Sequence, residues 1–188
     1  MIHGFKNEAI PDANAMYLVI STSLHPDSKS RVLANAAHKE IKDQGGDCEL
    51  IDLAYGSPLP MCNGHDCYSD PNVGSLAQKI TEAKGVLLAS PVYNFDVSAS
   101  CKNLVELTGS AWNEKVVGFL CAAGGQGSYM SPMSMANSLM LDFRCLILPR
   151  FIYAAGDECI VDGEIKDTDL LARVDELAKQ MVKVAGCL

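Results

Sequence analysis

Apolar residues along this chain fall into two alternating patterns. Short, nearly continuous runs occupy residues 16–22, 48–53, 86–90, 116–122 and 145–154. Each has the length and character of a buried strand. Between them apolar positions recur three and four apart, as on one face of a helix. Val32, Leu33, Ala36, Ala37 and Ile41 predict a helix over 30–44, and Val73, Leu76, Ala77, Ile80 and Ala83 one over 73–84. Val97, Cys101, Leu104 and Val105 mark 98–108, and Met133, Ala136, Leu139 and Met140 mark 130–143. Leu170, Val174, Leu177, Ala178 and Met181 mark a last helix, capped by Asp167. Gly45-Gly46 ends the first helix and Gly85 the second. Pro149 inside the last run predicts an edge strand or a bulge. Residues 160–165 predict a small hairpin around Asp162-Gly163.

Five strands alternating with five helices predict a doubly wound α/β domain with a parallel sheet. Ligands in such sheets bind beyond the carboxyl ends of the strands, where the strand order reverses. Three loops then matter. Ser21-Thr22-Ser23-Leu24-His25-Pro26-Asp27-Ser28-Lys29-Ser30 joins the first strand to a helix start. Backbone N–H groups and the helix dipole favour a phosphate there, and the serine hydroxyls and His25 add donors. The simpler reading of that stretch is a serine N-cap. Pro91-Val92-Tyr93-Asn94-Phe95-Asp96 follows the third strand and offers aromatic and backbone surface to a flat ligand, or else a rigid turn. Ala123-Gly124-Gly125-Gln126-Gly127-Ser128-Tyr129 follows the fourth and allows close backbone approach, or simply a tight turn. In strand order 2-1-3-4-5 the three loops are neighbours, and their convergence predicts one ligand pocket.

Composition narrows the field. The chain has 188 residues, 48% hydrophobic, and a net charge of -8. That length suits one domain with a proper core. The acidic balance and the lack of a basic stripe argue against a nucleic-acid partner or an anionic membrane surface. No run is long enough to span a bilayer. Residues 1–15 mix charges with Pro11 and do not read as a secretory signal; they are expected to be a loose N-terminal arm before a domain at 16–188. Eight cysteines without an export signal point to a reducing cytoplasm. Cys62-Asn63-Gly64-His65-Asp66-Cys67 invites a metal, but its spacing and lack of a second ligand pair favour two reduced surface thiols. No metal site is expected.

At the three loops the chain resembles the NADPH-dependent FMN reductases of the flavodoxin-like fold, a family that includes azo, chromate and quinone reductases. Against a first-loop pattern G-S-x-R-x-x-S-x-N, Ser23 and Ser28 match, while Thr22, His25 and Ser30 depart. Against P-x-Y-N, Pro91, Tyr93 and Asn94 match, and Lys102-Asn103 follows in place. Gly124-Gly125-Gln126-Gly127 is similar to the family's third, looser contact loop. The resemblance runs from about Met16 to the C-terminus. It implies a flavodoxin-like three-layer sandwich with a five-stranded parallel sheet, binding FMN non-covalently. It places the phosphate at Ser23, His25, Ser28 and Ser30. It places the ring against Pro91, Val92, Tyr93, Asn94 and Phe95, and against Ala123, Gly124, Gly125, Gln126, Gly127 and Tyr129. With histidine in place of arginine, the phosphate would favour the imidazolium, and FMN affinity would fall as pH rises.

The implied activity passes electrons from NADPH or NADH through FMN to a small acceptor: a quinone, a flavin, an azo dye or a metal ion. The flavin carries that chemistry, and no catalytic side chain is assigned. A homodimer or homotetramer is also implied, with the region around Trp112 facing a second subunit. Three other readings compete, one of them a non-enzymatic redox or flavin-binding regulator. A flavodoxin-type electron carrier would serve a protein partner, but its usual T-x-T-G-x-T loop is replaced here by Ser21-Thr22-Ser23-Leu24-His25-Pro26. An iron–sulfur flavoprotein would need four clustered cysteines after the second strand, where only Cys62 and Cys67 stand.

Overall fold

The computed structural model describes residues 15–188. The expected N-terminal arm lies almost wholly outside the described residues, and Ala15 already packs into the core. In chain order come β1 (Met16–Ser21), α1 (Lys29–Asp43), β2 (Asp47–Asp52), α2 (Pro71–Glu82), β3 (Gly85–Tyr93), β4 (Asp96–Val97) and α3 (Ala99–Thr108). Then follow β5 (Val116–Ala123), α4 (Met133–Phe143), β6 (Leu146–Ile147), β7 (Ile152–Ala155), β8 (Ile160–Val161), β9 (Glu164–Ile165) and α5 (Thr168–Ala185).

The continuous apolar runs become parallel strands buried on both faces. The sheet runs β2-β1-β3-β5, with β6 and then β7 along the outer edge of β5. Setting aside the two-residue β4 and taking β6 and β7 as one edge, this is the 2-1-3-4-5 order. The edge itself differs from expectation, since the single strand expected at 145–154 is two pieces. Leu148 still donates its N–H to Val117 O (2.8 Å), but Pro149 has no N–H and Arg150 is left-handed at φ 58°. Pairing resumes only where Ile152 meets Leu120.

Helices cover both faces. On one side α1 and α5 bury Leu33, Ile41, Val174, Leu177 and Met181 against Val19, Leu87 and Leu120. On the other, α2, α3 and α4 bury Ile80, Leu104 and Leu139 against Leu18, Val86 and Phe119. Each such large side chain contributes about 1.5–3 kcal/mol relative to exposure. Helix α5 lies close on the sheet because Gly85 leaves room: a Cβ there would come within 3.0 Å of Ala185 Cβ and closer still to Met181 Sδ. Trp112 is fully buried within its own domain and donates Nε1–H to Thr108 Oγ1 (2.7 Å). It therefore lends no surface to a subunit contact.

Caps fix the helix starts. Asp70 accepts from Asn72 N–H (2.8 Å) ahead of Pro71, so α2 begins two residues before its periodic pattern. Asp167 accepts from Asp169 and Leu170 N–H, as its sequence position implies. Residues Gln126–Ser128 form a 3-10 turn, which delays α4 to Met133. The 160–165 hairpin forms, with Asp162 at φ 51° and Gly163 at φ 75°.

Candidate flavin site

The carboxyl ends of β1, β3 and β5 lie side by side, and buried hydroxyls lock the first two together. Thr22 donates its backbone N–H and its Oγ1–H to Ala89 O (2.8 and 2.9 Å). Ser98 Oγ lies 3.3 Å from Thr22 Oγ1, accepts from Ser90 Oγ–H (3.2 Å), and meets Ser100 Oγ at 2.9 Å. Ser100 in turn donates to Thr22 O. The backbone leaving both strands is thus held before any ligand arrives.

Past that lock the first loop is gathered by Arg31. Its guanidinium donates to His25 O (2.9 Å), Pro26 O (2.7 Å) and Ser23 O (3.2 Å), pairs with the Asp52 carboxylate, and lies 4.8 Å from the Tyr55 ring centroid. By collecting loop carbonyls on its own side, Arg31 leaves the hydroxyls to face the other way. Ser28 Oγ accepts from Arg31 N–H (3.2 Å) as the N-cap of α1 and lies 3.0 Å from Ser30 Oγ. The serine cap and the phosphate loop are therefore one structure. Lys29 Nζ reaches across to Gly156 O (2.9 Å) and Asp157 (2.6 Å), closing the side of the loop toward β7. The Lys29 ammonium holds the Asp157 carboxyl below its ordinary value, first through that hydrogen bond.

His25 is held within its own loop. Its Nδ1 accepts from Asp27 N–H (3.0 Å), which leaves Nε2 as the ring nitrogen for a ligand.

The second loop is a two-residue turn between β3 and β4. Tyr93 pairs with Asp96, and Asn94 and Phe95 are left-handed at φ 52° and 64°. Tyr93 and Phe95 are 54% and 55% exposed, and of the two Tyr93 lines the cavity that opens among the loops. The third loop is pinned by Tyr153 OH, which donates to Gly125 O (2.6 Å). A Cβ on Gly124, Gly125 or Gly127 would project into open space.

A cavity of about 230 Å³ opens among the loops. Ser23, His25, Ser28 and Ser30 line it from the first loop, Pro91, Val92 and Tyr93 from the second, and Ala123 and Gly124 from the third. Asp27, Lys29 and Ala122 line it too, and none of these three stood out in the sequence. Asn94, Phe95, Gly125, Gln126 and Gly127 lie beyond the lining, on the same two loops. Tyr129 turns elsewhere: it stacks on Phe151 at 4.8 Å and meets Tyr153 edge-on at 5.5 Å. A larger cavity of about 390 Å³, lined by Leu50, Tyr55, Asn72 and Lys79, lies outside β2 and carries none of the three loops.

The donor set fits FMN. Three hydroxyls and the start of α1 line the cavity, with the Lys29 ammonium paired to Asp157 beside them and Asp27 the one carboxylate among the lining. That balance suits a phosphate at a helix N-terminus. The other end is a shelf of strand-end backbone with no side chain rising from Gly124, which suits a flat ring.

The family model for NADPH-dependent FMN reductases matches residues 16–158, which includes all three loops. The chain belongs to this family. It is 33% identical over 177 residues to an NADPH:quinone oxidoreductase of Arabidopsis thaliana, covering 87% of this chain and 84% of the relative. It is 32% identical over 162 residues to an NAD(P)H:quinone oxidoreductase of Solanum tuberosum, covering 77% and 81%. Its fold is similar to that of a flavoenzyme NAD(P)H:(acceptor) oxidoreductase from Paracoccus denitrificans, with a TM-score of 0.74, 20% identity, and 91% and 97% of the two chains covered. This likeness of fold covers more of the chain than the family match does.

Proposed function

We propose that this chain is an FMN-dependent NAD(P)H oxidoreductase whose small acceptor is of the quinone class. The observation that carries the reading is the single cavity where an anion-binding helix start meets an open backbone shelf. The two quinone-reducing relatives favour that acceptor over an azo dye or a metal ion. Bound FMN supplies hydride acceptance and electron transfer. The protein's own work is to bind, orient and shield. Ser23, Ser28, Ser30 and Lys29 hold the phosphate end, and His25 donates from Nε2. Pro91, Val92 and Tyr93 support the ring with Ala123 and Gly124, while Asn94, Phe95 and residues 125–127 border it. Tyr93 and Phe95 frame the opening through which nicotinamide and acceptor enter in turn. No side chain is assigned as an acid or base.

A cytoplasmic homodimer or homotetramer completes the proposal. Exposed Met133, Met140 and Leu141 on α4 support self-association, and Cys48, Cys101, Cys121 and Cys145, packed as thiols among core side chains, support a reducing compartment. No helix among the described residues is long and apolar enough to cross a membrane. A monomer by light scattering with FMN bound would remove the oligomer from this reading.

The test is anaerobic mixing of the FMN-loaded protein with NADPH and, separately, NADH, followed by a quinone. Bleaching of the flavin absorption by at least one nicotinamide, and its return on adding quinone, are expected. If the flavin stays oxidised with both, a flavodoxin-type carrier with a protein partner takes the place of this reading.

A further inference from the structure

Cys62 and Cys67 have no task in the flavin site, yet the loop that carries them is tightly built. Cys62 donates its N–H to Asn103 Oδ1 (2.8 Å), and Asn103 Nδ2 donates to Pro60 O (2.9 Å), so α3 anchors the start of the turn. Asn63 Oδ1 accepts from His65 N–H (3.0 Å) and Cys67 N–H (3.4 Å), and Gly64 makes the bend at φ 70°. This folding packs Cys62 against the small cluster that contains Cys67 and sets its thiol 3.5 Å from Tyr68 OH. Cys67 is seated beside Val73 and Leu107 and is only 5% exposed, whereas Cys62 is half-buried.

We propose that Cys62 and Cys67 are a redox-modification site that closes to a reversible disulfide when a hydroperoxide reacts with Cys67.

The electrostatics divide the roles. Burial pushes the Cys67 thiol up, but the neighbouring backbone of Asn63, His65 and Gly64 and the Cys62 side chain outweigh it and hold the group below its ordinary value. Polar backbone beside the sulfur favours the thiolate, which is the nucleophilic form. The buried thiols elsewhere behave oppositely: desolvation pushes Cys48, Cys101 and Cys121 up to about 12, and they are inert near neutral pH. A metal is a poorer occupant, because no group of three or more His, Cys, Asp or Glu side chains among the described residues could hold one.

The chemistry balances in two steps. The Cys67 thiolate attacks one peroxide oxygen; the O–O bond breaks, Cys67 becomes a sulfenic acid, and the departing hydroxide takes up the thiol's proton as water. The Cys62 sulfur then attacks the Cys67 sulfur; the S–S bond forms, the S–O bond breaks, and hydroxide leaves with the Cys62 proton as a second water. The two thiols together lose two electrons and the peroxide gains them. A dithiol reverses the bond by exchange.

The proposal does not rest on the flavin reading, and its test uses no turnover. The reduced, FMN-loaded protein is treated with stoichiometric hydrogen peroxide, quenched by alkylation and read by peptide mass spectrometry. The expected product is an internal Cys62–Cys67 bond, lighter by two hydrogens and restored by dithiothreitol. Cys62→Ser should stop at a Cys67 sulfenic acid that dimedone traps. Cys67→Ser should slow loss of the Cys62 thiol on the order of tenfold. The wild-type measurement stands even if a variant folds poorly. Peroxide that oxidises Cys159 or Cys187 while leaving Cys62 and Cys67 alkylatable would overturn the proposal, as would a disulfide between other partners.

Discussion

At the scale of single residues, Ser28 shows how one hydroxyl serves two ends. It caps α1 and lines the cavity, whereas Ser23 lines the cavity and accepts only the local His25 N–H (3.3 Å). Replacing Ser28 with alanine should therefore cost about 1 kcal/mol of stability even without FMN, and Ser23→Ala much less. The double variant should weaken FMN by roughly 1–3 kcal/mol while leaving riboflavin, which lacks the phosphate, nearly unaffected. Fluorescence-quench titration with both ligands checks this, and equal losses would move the phosphate away from these hydroxyls. The serines were legible because hydroxyls ahead of a helix start have few other uses. Lys29 was not, because a lysine in a first helical turn looks like solvated surface until its reach to Gly156 and Asp157 is seen. Tyr129 misled for the opposite reason: it follows the glycines in sequence, but Phe151 and Tyr153 offer it better aromatic contacts on the far side.

At the scale of elements, the β3–β4 turn stores strain. Asn tolerates a left-handed backbone, but a phenylalanine at φ 64° with its ring more than half exposed gains little burial to offset the cost. Phe95→Gly should relieve about 1 kcal/mol and raise the unfolding temperature of the FMN-free protein, while shifting preference among acceptors. Melting curves and a panel of quinones of different size check the two halves; a lower melting temperature would mean the ring is needed for packing. Strands and helices were readable from period alone, since both faces of the sheet are covered and the helices each show one apolar stripe. The edge at residues 145–154 was not, because an apolar run does not reveal where Pro149 and Arg150 lift the chain out of the ladder.

At the scale of the whole molecule, the buried thiols tie stability to pH. Desolvation raises Cys48, Cys101 and Cys121 to about 12 and Cys145 to about 11, from an ordinary 9.0. A folded value above the unfolded one means that this contribution is fully present below about pH 9, where both states keep the proton. Above that, the unfolded chain releases protons that the folded one retains, so stability falls as pH rises toward the folded values. The unfolding temperature should drop steadily from about pH 8 to about pH 11, and Cys121→Ala should lessen the slope. A flat profile would show that these thiols ionise in place. The convergence of three loops was legible at this scale because the alternation of elements implies a parallel sheet, and the 2-1-3-4-5 order taken for it is the one the strands adopt.

The Arg31 staple has a reach beyond the cavity. It joins the first loop to the Asp52 carboxylate, whose second oxygen accepts from Ala54 N–H (2.9 Å), and Gly56 N–H is bound to Asp52 O (2.9 Å) beneath the Tyr55 ring. Any ligand that quiets the loop therefore quiets the end of β2 as well, although residues 53–56 do not line the cavity. Amide hydrogens of that segment should exchange with deuterium more slowly once FMN is added, and Arg31→Met should abolish the slowing while FMN still binds.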